Sequence, residues 1–262
     1  MTVESLFKIL EENVAPVKLS NDFCARYKMY DNSGIIINCG KEVNGVLFTL
    51  DLSLAAVEKV KEIGYNAIVT HHPAIFGGIT SFDLTANAQA KALAKCISCG
   101  ISVISMHINF DAAPQGIDYY LMKGLGGESA EILNHIEGGG YGRFYTVPAR
   151  KFIEYTEKIK STFKTQRLIT YGDGQRAVNR VASFCGAGCD DDAIAFAKSN
   201  KADVLVSSDM KHHQIAELLE SGINVVHLTH YCAETYGFKE IYNKIKQKLN
   251  IPSSYFTDER FM

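Results

Sequence analysis

Apolar and polar positions along the chain alternate between two textures. In the first half, short β-branched runs (VNGVLFTLDLS, YNAIVTHHP, GISVISMHINFD) are separated by segments with apolar positions every three to four residues (LAAVEKVKEIG, AQAKALAKCIS). Runs of the first kind read as strands and those of the second as amphipathic helices, so the alternation predicts βαβ units around a parallel sheet. The N-terminal MTVESLFKILEENVAP, with Leu6, Phe7, Ile9 and Leu10 at helical spacing, predicts a first helix. The helix after Ser53 is expected to bury Leu54, Val57, Val60 and Ile63, to turn Glu58, Lys59, Lys61 and Glu62 outward, and to end at Gly64.

The second half resumes with a helix through Phe152, Tyr155, Ile159 and Phe163, then VNRVASFCGAGC, DDAIAFAKS, ADVLVSSDMKHH, IAELLES and GINVVHLTHYCAE. Laid over the first half, this is a degenerate repeat. The expected fold is α/β: two similar α/β lobes related by a pseudo-repeat, with a ligand cleft between them where the strands' carboxyl ends face each other. The glycine-rich stretch Gly124–Gly142 is the expected boundary, giving lobes 1–125 and 126–262, with the C-terminal helix packing back on the first.

Composition narrows the class. Twenty-seven basic and 29 acidic side chains leave a net charge of -2 without long runs of either sign, so no nucleic-acid footprint is evident. Neither a signal peptide nor a run of roughly 18 apolar residues is visible, so no membrane partner is expected. Seven cysteines, an odd number, fit free thiols in a reducing compartment and a cytoplasmic location. Cys96 and Cys99 form a CxxC within a predicted helix and read as buried thiols, and Cys185 and Cys189 as packing residues.

Histidine placement changes the picture most. Seven of the eight fall in four short segments: His71 and His72; His107; His212 and His213; His227 and His230. A lone histidine after a strand is more often a satisfied core or surface residue, but chance placement of eight would give well under one adjacent pair, and two occur. Each segment carries or borders a carboxylate or amide: Asn109 and Asp111, Asp209, Glu234. Imidazole and carboxylate are the ligands of Zn, Fe, Mn or Ni, and a second metal generally needs a bridging carboxylate. Adjacent histidines leaving a strand can send one ring to each of two metals, while Pro73 restricts His72 to an extended backbone. If the strand continues through HINFD, His107, Asn109 and Asp111 share one face; if a helix starts at HYCAE, His230 and Glu234 lie one turn apart.

In order and context, DNSGIIINCG with LDLSLAAVEKV, THHPAIF, HINFDAAPQGID, SSDMKHH and HYCAET resemble the Ngg-interacting-factor-three-like family, the GTP cyclohydrolase type 2 homologues, over nearly the whole chain. The resemblance implies a two-lobed α/β fold and two divalent cations per chain (Fe, Zn, Mn or similar). It assigns His71, His72, Asp111, His230 and Glu234 as ligands with Glu234 as the bridge, and it implies a ring-shaped homohexamer. One departure is Ser208, where many relatives have glycine before the Asp.

A metal-dependent hydrolase needs an acid or base near the cations, for which His107, His213 and Asp209 are the candidates, although a histidine there can instead orient a ligand. A nucleotide or purine ring such as GTP is implied only by the resemblance, since no P-loop or dinucleotide fingerprint is present. The substrate is a small molecule of unknown identity. The alternative is a non-catalytic metal-binding or protein-interaction assembly.

Overall fold

Unbroken apolar runs become strands buried on both faces, and the helically periodic segments become the helices that cover them. The computed structural model describes residues 1–79 and 81–262. In chain order the elements are α1 (Val3–Asn13), α2 (Val17–Tyr27), β1 (Gly34–Ile37), β2 (Val46–Thr49), α3 (Leu54–Glu62), β3 (Ala67–Thr70), α4 (Ala88–Cys99), β4 (Ser102–Ser105), α5 (Ile108–Ala112) and α6 (Ile117–Leu125). There follow β5 (Glu131–Ile136), β6 (Gly139–Lys151), α7 (Phe152–Phe163), β7 (Leu168–Tyr171), β8 (Ala177–Ser183), α8 (Asp191–Ser199), β9 (Val204–Ser207), α9 (His212–Glu220), β10 (Asn224–Leu228), α10 (His230–Ile245) and β11 (Ser253–Tyr255). Among the described residues no helix is long and apolar enough to cross a membrane.

The chain forms two compact units, Met1–Ala113 with Phe238–Glu259, and Pro114–Gly237 with Arg260–Met262. Against the expected break at 125/126, α6 groups with the second unit, and the later part of α10 with β11 groups with the first. The Gly124–Gly142 stretch is structured: Gly126 (φ 98°) closes α6, and Gly138 (φ 83°) sits in the two-residue turn joining the paired strands β5 and β6. Its glycines answer the backbone demands of a helix end and a hairpin, not those of a linker.

In the first unit the sheet order is β1-β4-β3-β2-β11, with β1 antiparallel to β4 and the remaining pairs parallel. Leu47, Ile68 and Val103 from neighbouring strands pack with Val57 and Val60 of α3 and Leu93 and Cys96 of α4. Ser53 caps α3 by accepting the Ala56 N–H at 3.1 Å, and Gly64 follows its end at φ 73°. The buried face of α3 is Ala56, Val57 and Val60; Leu54, expected inside, is 38% exposed at the helix start, where it lies ahead of the buried turn.

In the second unit the order is β5-β6-β8-β9-β10-β7, with β8, β9 and β10 parallel and β7 antiparallel to β10. Ala182, Leu205 and Val225 pack under Ala193, Ile194 and Ala197 of α8 and Ile215 and Leu218 of α9. The repeat is therefore real at the level of topology. Each unit has an antiparallel strand, then β-α-β-α-β, in the orders β1-β4-β3-β2 and β7-β10-β9-β8. Each also sends a helix from the third parallel strand, α5 or α10.

Candidate metal centre

In the first unit the donors stand where parallel strands end, because there the backbone leaves the ladder and side chains project past the sheet. His71 and His72 follow β3 directly, and their N–H groups donate to the Leu50 carbonyl beyond β2 at 3.1 and 3.0 Å. His107 lies two residues past β4 and its N–H donates to Ser33 Oγ at 2.9 Å. The ligand atoms of His71, His72 and His107 lie within 4.8 Å of one another, and the rings of His71 and His107 meet edge-on at 5.1 Å.

HINFD does not extend the strand. β4 stops at Ser105, and from Ile108 the chain is helical, with the Phe110 and Asp111 N–H groups donating to the His107 carbonyl at 2.8 and 3.0 Å. His107 and Asp111 thus share one side of a helical turn, while Asn109 points elsewhere, its Nδ2 donating to the Ala15 carbonyl at 2.9 Å and its Oδ1 lying 3.3 Å from the Ser33 hydroxyl, whose hydrogen goes to Asp31. Asn109 thus anchors α5 through its amide.

Each ring is held at Nδ1. His71 donates to the Met106 carbonyl at 3.0 Å, His72 to Asp51 Oδ1 at 2.7 Å and His107 to Asp31 Oδ1 at 2.8 Å. For Asp31, burial pushes the carboxyl up, but the hydrogen bond and charge of His107, with Ser20 and Ser33, outweigh it and hold the group below the ordinary carboxylate range. A carbonyl can only accept, so a neutral His71 carries its proton on Nδ1 and presents the Nε2 lone pair to Asp111 Oδ1, 3.4 Å away. Two electron-rich atoms at that separation are compatible with a shared cation.

The second unit repeats the device. His230 opens α10 two residues past β10, with Nδ1 at 2.5 Å from Asp209 Oδ2 and Nε2 at 3.0 Å from Glu234 Oε2, the acid one turn on. A neutral imidazole has one hydrogen for these two carboxylates; a second proton or a cation must balance the other. Gly186, past β8, walls the pair: a Cβ there would stand 2.4 Å from Glu234 Oε1 and 3.2 Å from His230 Nε2. Asp209 itself takes the left-handed conformation (φ 49°), so the turn asks nothing unusual of buried Ser208, whose N–H donates to the Gly186 carbonyl at 3.1 Å.

Within the first unit the structure brings together His71, His72, His107 and Asp111, and within the second His230, Glu234 and Asp209. His213 is not among them. It lies exposed in the first turn of α9, beside Lys211 and the acidic start of α8, because the turn at Asp209 ends the strand and the helix carries His212 and His213 outward.

A profile of the Duf34/NIF3 (NGG1p interacting factor 3) family matches residues 1–258. The chain belongs to the NIF3 family. Among NIF3 relatives, a Clostridium perfringens "GTP cyclohydrolase 1 type 2 homolog" is 25% identical over 255 residues, 95% of this chain and 93% of that protein. One from Staphylococcus aureus with the same name is 42% identical over 107 residues, 40% of this chain and 29% of that protein. Among solved structures, Staphylococcus aureus protein SA1388 aligns with TM-score 0.83 at 26% identity, covering 98% of this chain and 97% of that one. A Bacillus cereus protein related to NIF3 aligns with TM-score 0.82 at 19% identity over 98% and 96% of the two chains, a likeness of fold.

The supporting carboxylates of this NIF3 chain, Asp31 and Asp51, and the wall residue Gly186 escape the sequence reading. Asp51 had one signal, its place in LDLS just past a strand end. None of the seven cysteines is in a disulfide. Cys96 is buried, and burial pushes its thiol up to about 12, which removes thiolate chemistry at neutral pH. Cys99, expected buried, is exposed on the outer side of α4.

Proposed function

We propose that this NIF3 protein holds two divalent cations through His71, His72, Asp111, His230 and Glu234, with Glu234 as the bridge, and uses them for hydrolysis. The observation that carries the reading is the excess of acceptors over protons at His71 and His230, each set between two oxygen acceptors with one hydrogen if neutral. A second support is the outer ring of partners: ligating histidines characteristically give their other N–H to a carboxylate or carbonyl, as these do to Met106, Asp51 and Asp209. The donor set, imidazoles with carboxylates and no thiolate, suits Zn, Fe or Mn.

When bound, the cations supply Lewis acidity, which acidifies water toward neutrality and polarises a substrate oxygen. Asp51 and Asp209 hold the rings of His72 and His230 in the ligating tautomer. His107, oriented by Asp31, takes up and returns a proton at Nε2. In this reading Asp209 supports a ligand and His213 takes no part.

The relatives' name makes ring hydrolysis of a purine nucleotide the first reaction to screen. Elemental analysis of the purified protein tests the centre: about two metal equivalents per chain, lost in Asp111→Ala/Glu234→Ala, support it, and unchanged metal content in that variant refutes it. The family description names an interaction, not a reaction, which favours a second reading in which the ions are structural. A metal-replete protein inert across a hydrolase screen would select that reading.

A further inference from the structure

Asp118 is fully buried and its partner Arg143, whose Nε lies 3.0 Å from Asp118 Oδ2, is nearly so. Burying an ion pair is a poor way to gain stability, because desolvation offsets the attraction. The position of this one suggests another use. Asp118 Oδ2 also accepts the Gly142 N–H at 3.0 Å, and Oδ1 accepts the Cys185 N–H at 3.2 Å.

Cys185 immediately precedes Gly186, and this two-residue turn is gripped throughout. The Tyr141 hydroxyl donates to the Cys185 carbonyl. The Ser208 N–H and the Ser207 hydroxyl donate to the Gly186 carbonyl at 3.1 and 3.4 Å. The α-carbon so fixed is the one whose missing side chain leaves room for Glu234 Oε1.

We propose that Asp118 is a positioning residue: through the Cys185–Gly186 turn it sets the wall against which the Glu234 carboxylate is held for metal. The inference rests on the metal reading above and adds residues to it that make no contact with metal. Partners that hydrogen-bond a ligand directly typically change metal affinity by roughly 10–100-fold; Asp118 acts one turn further out, so its loss falls at the low end of that range. A carboxylate aimed through a buried, hydrogen-bonded turn has little freedom to recover the lost geometry.

The test is competition between the full-length protein and a chromogenic chelator for zinc, with thermal unfolding of the metal-free proteins alongside. Asp118→Asn should weaken zinc binding by roughly 10-fold and Gly186→Ala by roughly 10–100-fold. Asp203→Asn is the control for mere destabilisation. Asp203 is an equally well-bonded carboxylate of the same unit, accepting the Asn179 and Arg180 N–H groups and the Arg180 guanidinium at the opposite end of β9 from Asp209. Its loss should lower the melting temperature and leave zinc affinity alone.

Glu234→Asp should weaken zinc binding in the wild-type background yet improve it in Gly186→Ala, because the shorter acid retreats from the new methyl group. A merely structural role has no reason to produce that reversal. Wild-type zinc affinity in Asp118→Asn and Gly186→Ala, or equal loss in Asp203→Asn, overturns the positioning role while the metal centre stands. A wild type that binds no zinc, iron or manganese overturns both.

Discussion

Replacing Asp31 by asparagine removes the charge on which three donors converge. The carboxylate takes the His107 Nδ1–H at 2.8 Å, the Ser33 hydroxyl at 2.6 Å and the Ser20 hydroxyl, and its side chain is only 5% exposed. An amide of the same shape keeps one acceptor oxygen and presents two hydrogens to groups that were donating. The remaining oxygen can keep the His107 N–H, and the serine hydroxyls, which shared the other oxygen, must rotate to accept; every one of these bonds then loses its charge. Hydrogen bonds to a buried charge contribute about 1.5–3 kcal/mol each, so a net loss of about 2–3 kcal/mol is expected. For a chain of this size that lowers the melting temperature by roughly 5–10 °C.

The pH dependence carries the sharper information. Because the folded carboxyl is held below its ordinary value of 3.8, its contribution to stability is complete above that value and disappears as pH falls toward the folded one. The gap between wild type and Asp31→Asn should therefore be full at neutral pH and shrink below about pH 4. Circular-dichroism melts across that range read it directly. A variant that melts with the wild type at neutral pH, or a gap that acid leaves unchanged, would refute the assignment of Asp31 as an ionised, triply bonded support for His107.

His213→Ala should keep its metal and shift stability by no more than about 0.5 kcal/mol, since the side chain is exposed on α9; metal loss measured by elemental analysis would contradict its exclusion from the centre. Phe110→Ala, which empties a fully buried site 6.3 Å from the Phe238 ring, should cost about 3–5 kcal/mol in denaturant unfolding and release the α5 turn that carries Asp111. We also propose the ring-shaped homohexamer: light scattering should return six copies of a 28.9 kDa chain, and a monomer would remove it.

The alternation of strands and helices was legible because the parallel strands are apolar on both faces: β2, β3, β4 and β9 are buried at every position, and such runs contrast sharply with half-polar helices. His230 and Glu234 were legible too, since helical spacing alone brings them together. HINFD misled because histidine, asparagine and aspartate at alternate positions fit a strand equally well; the deciding bonds run to Ala15 and Ser33, far off in the chain. Asp31 and Asp51 were hidden for the same reason. They reach His107 and His72 only through the order β1-β4-β3-β2, which no local pattern encodes.

The two histidine pairs show what a sequence repeat can and cannot say. His71 and Ser208 each follow the second parallel strand of their unit directly, and His72 and Asp209 come next. His107 and His230 each stand two residues past the third strand, with an aspartate on Nδ1 and an acid four residues on. Sequence similarity alone would align HH with HH, matching His71 and His72 to His212 and His213. Topology instead matches His72 to Asp209, which in the second unit has become the support of His230. Equivalent places have thus taken different tasks: a residue's count from its strand end brings its side chain to the donor cluster, and its type decides whether it stands there as a candidate ligand or as the support of one.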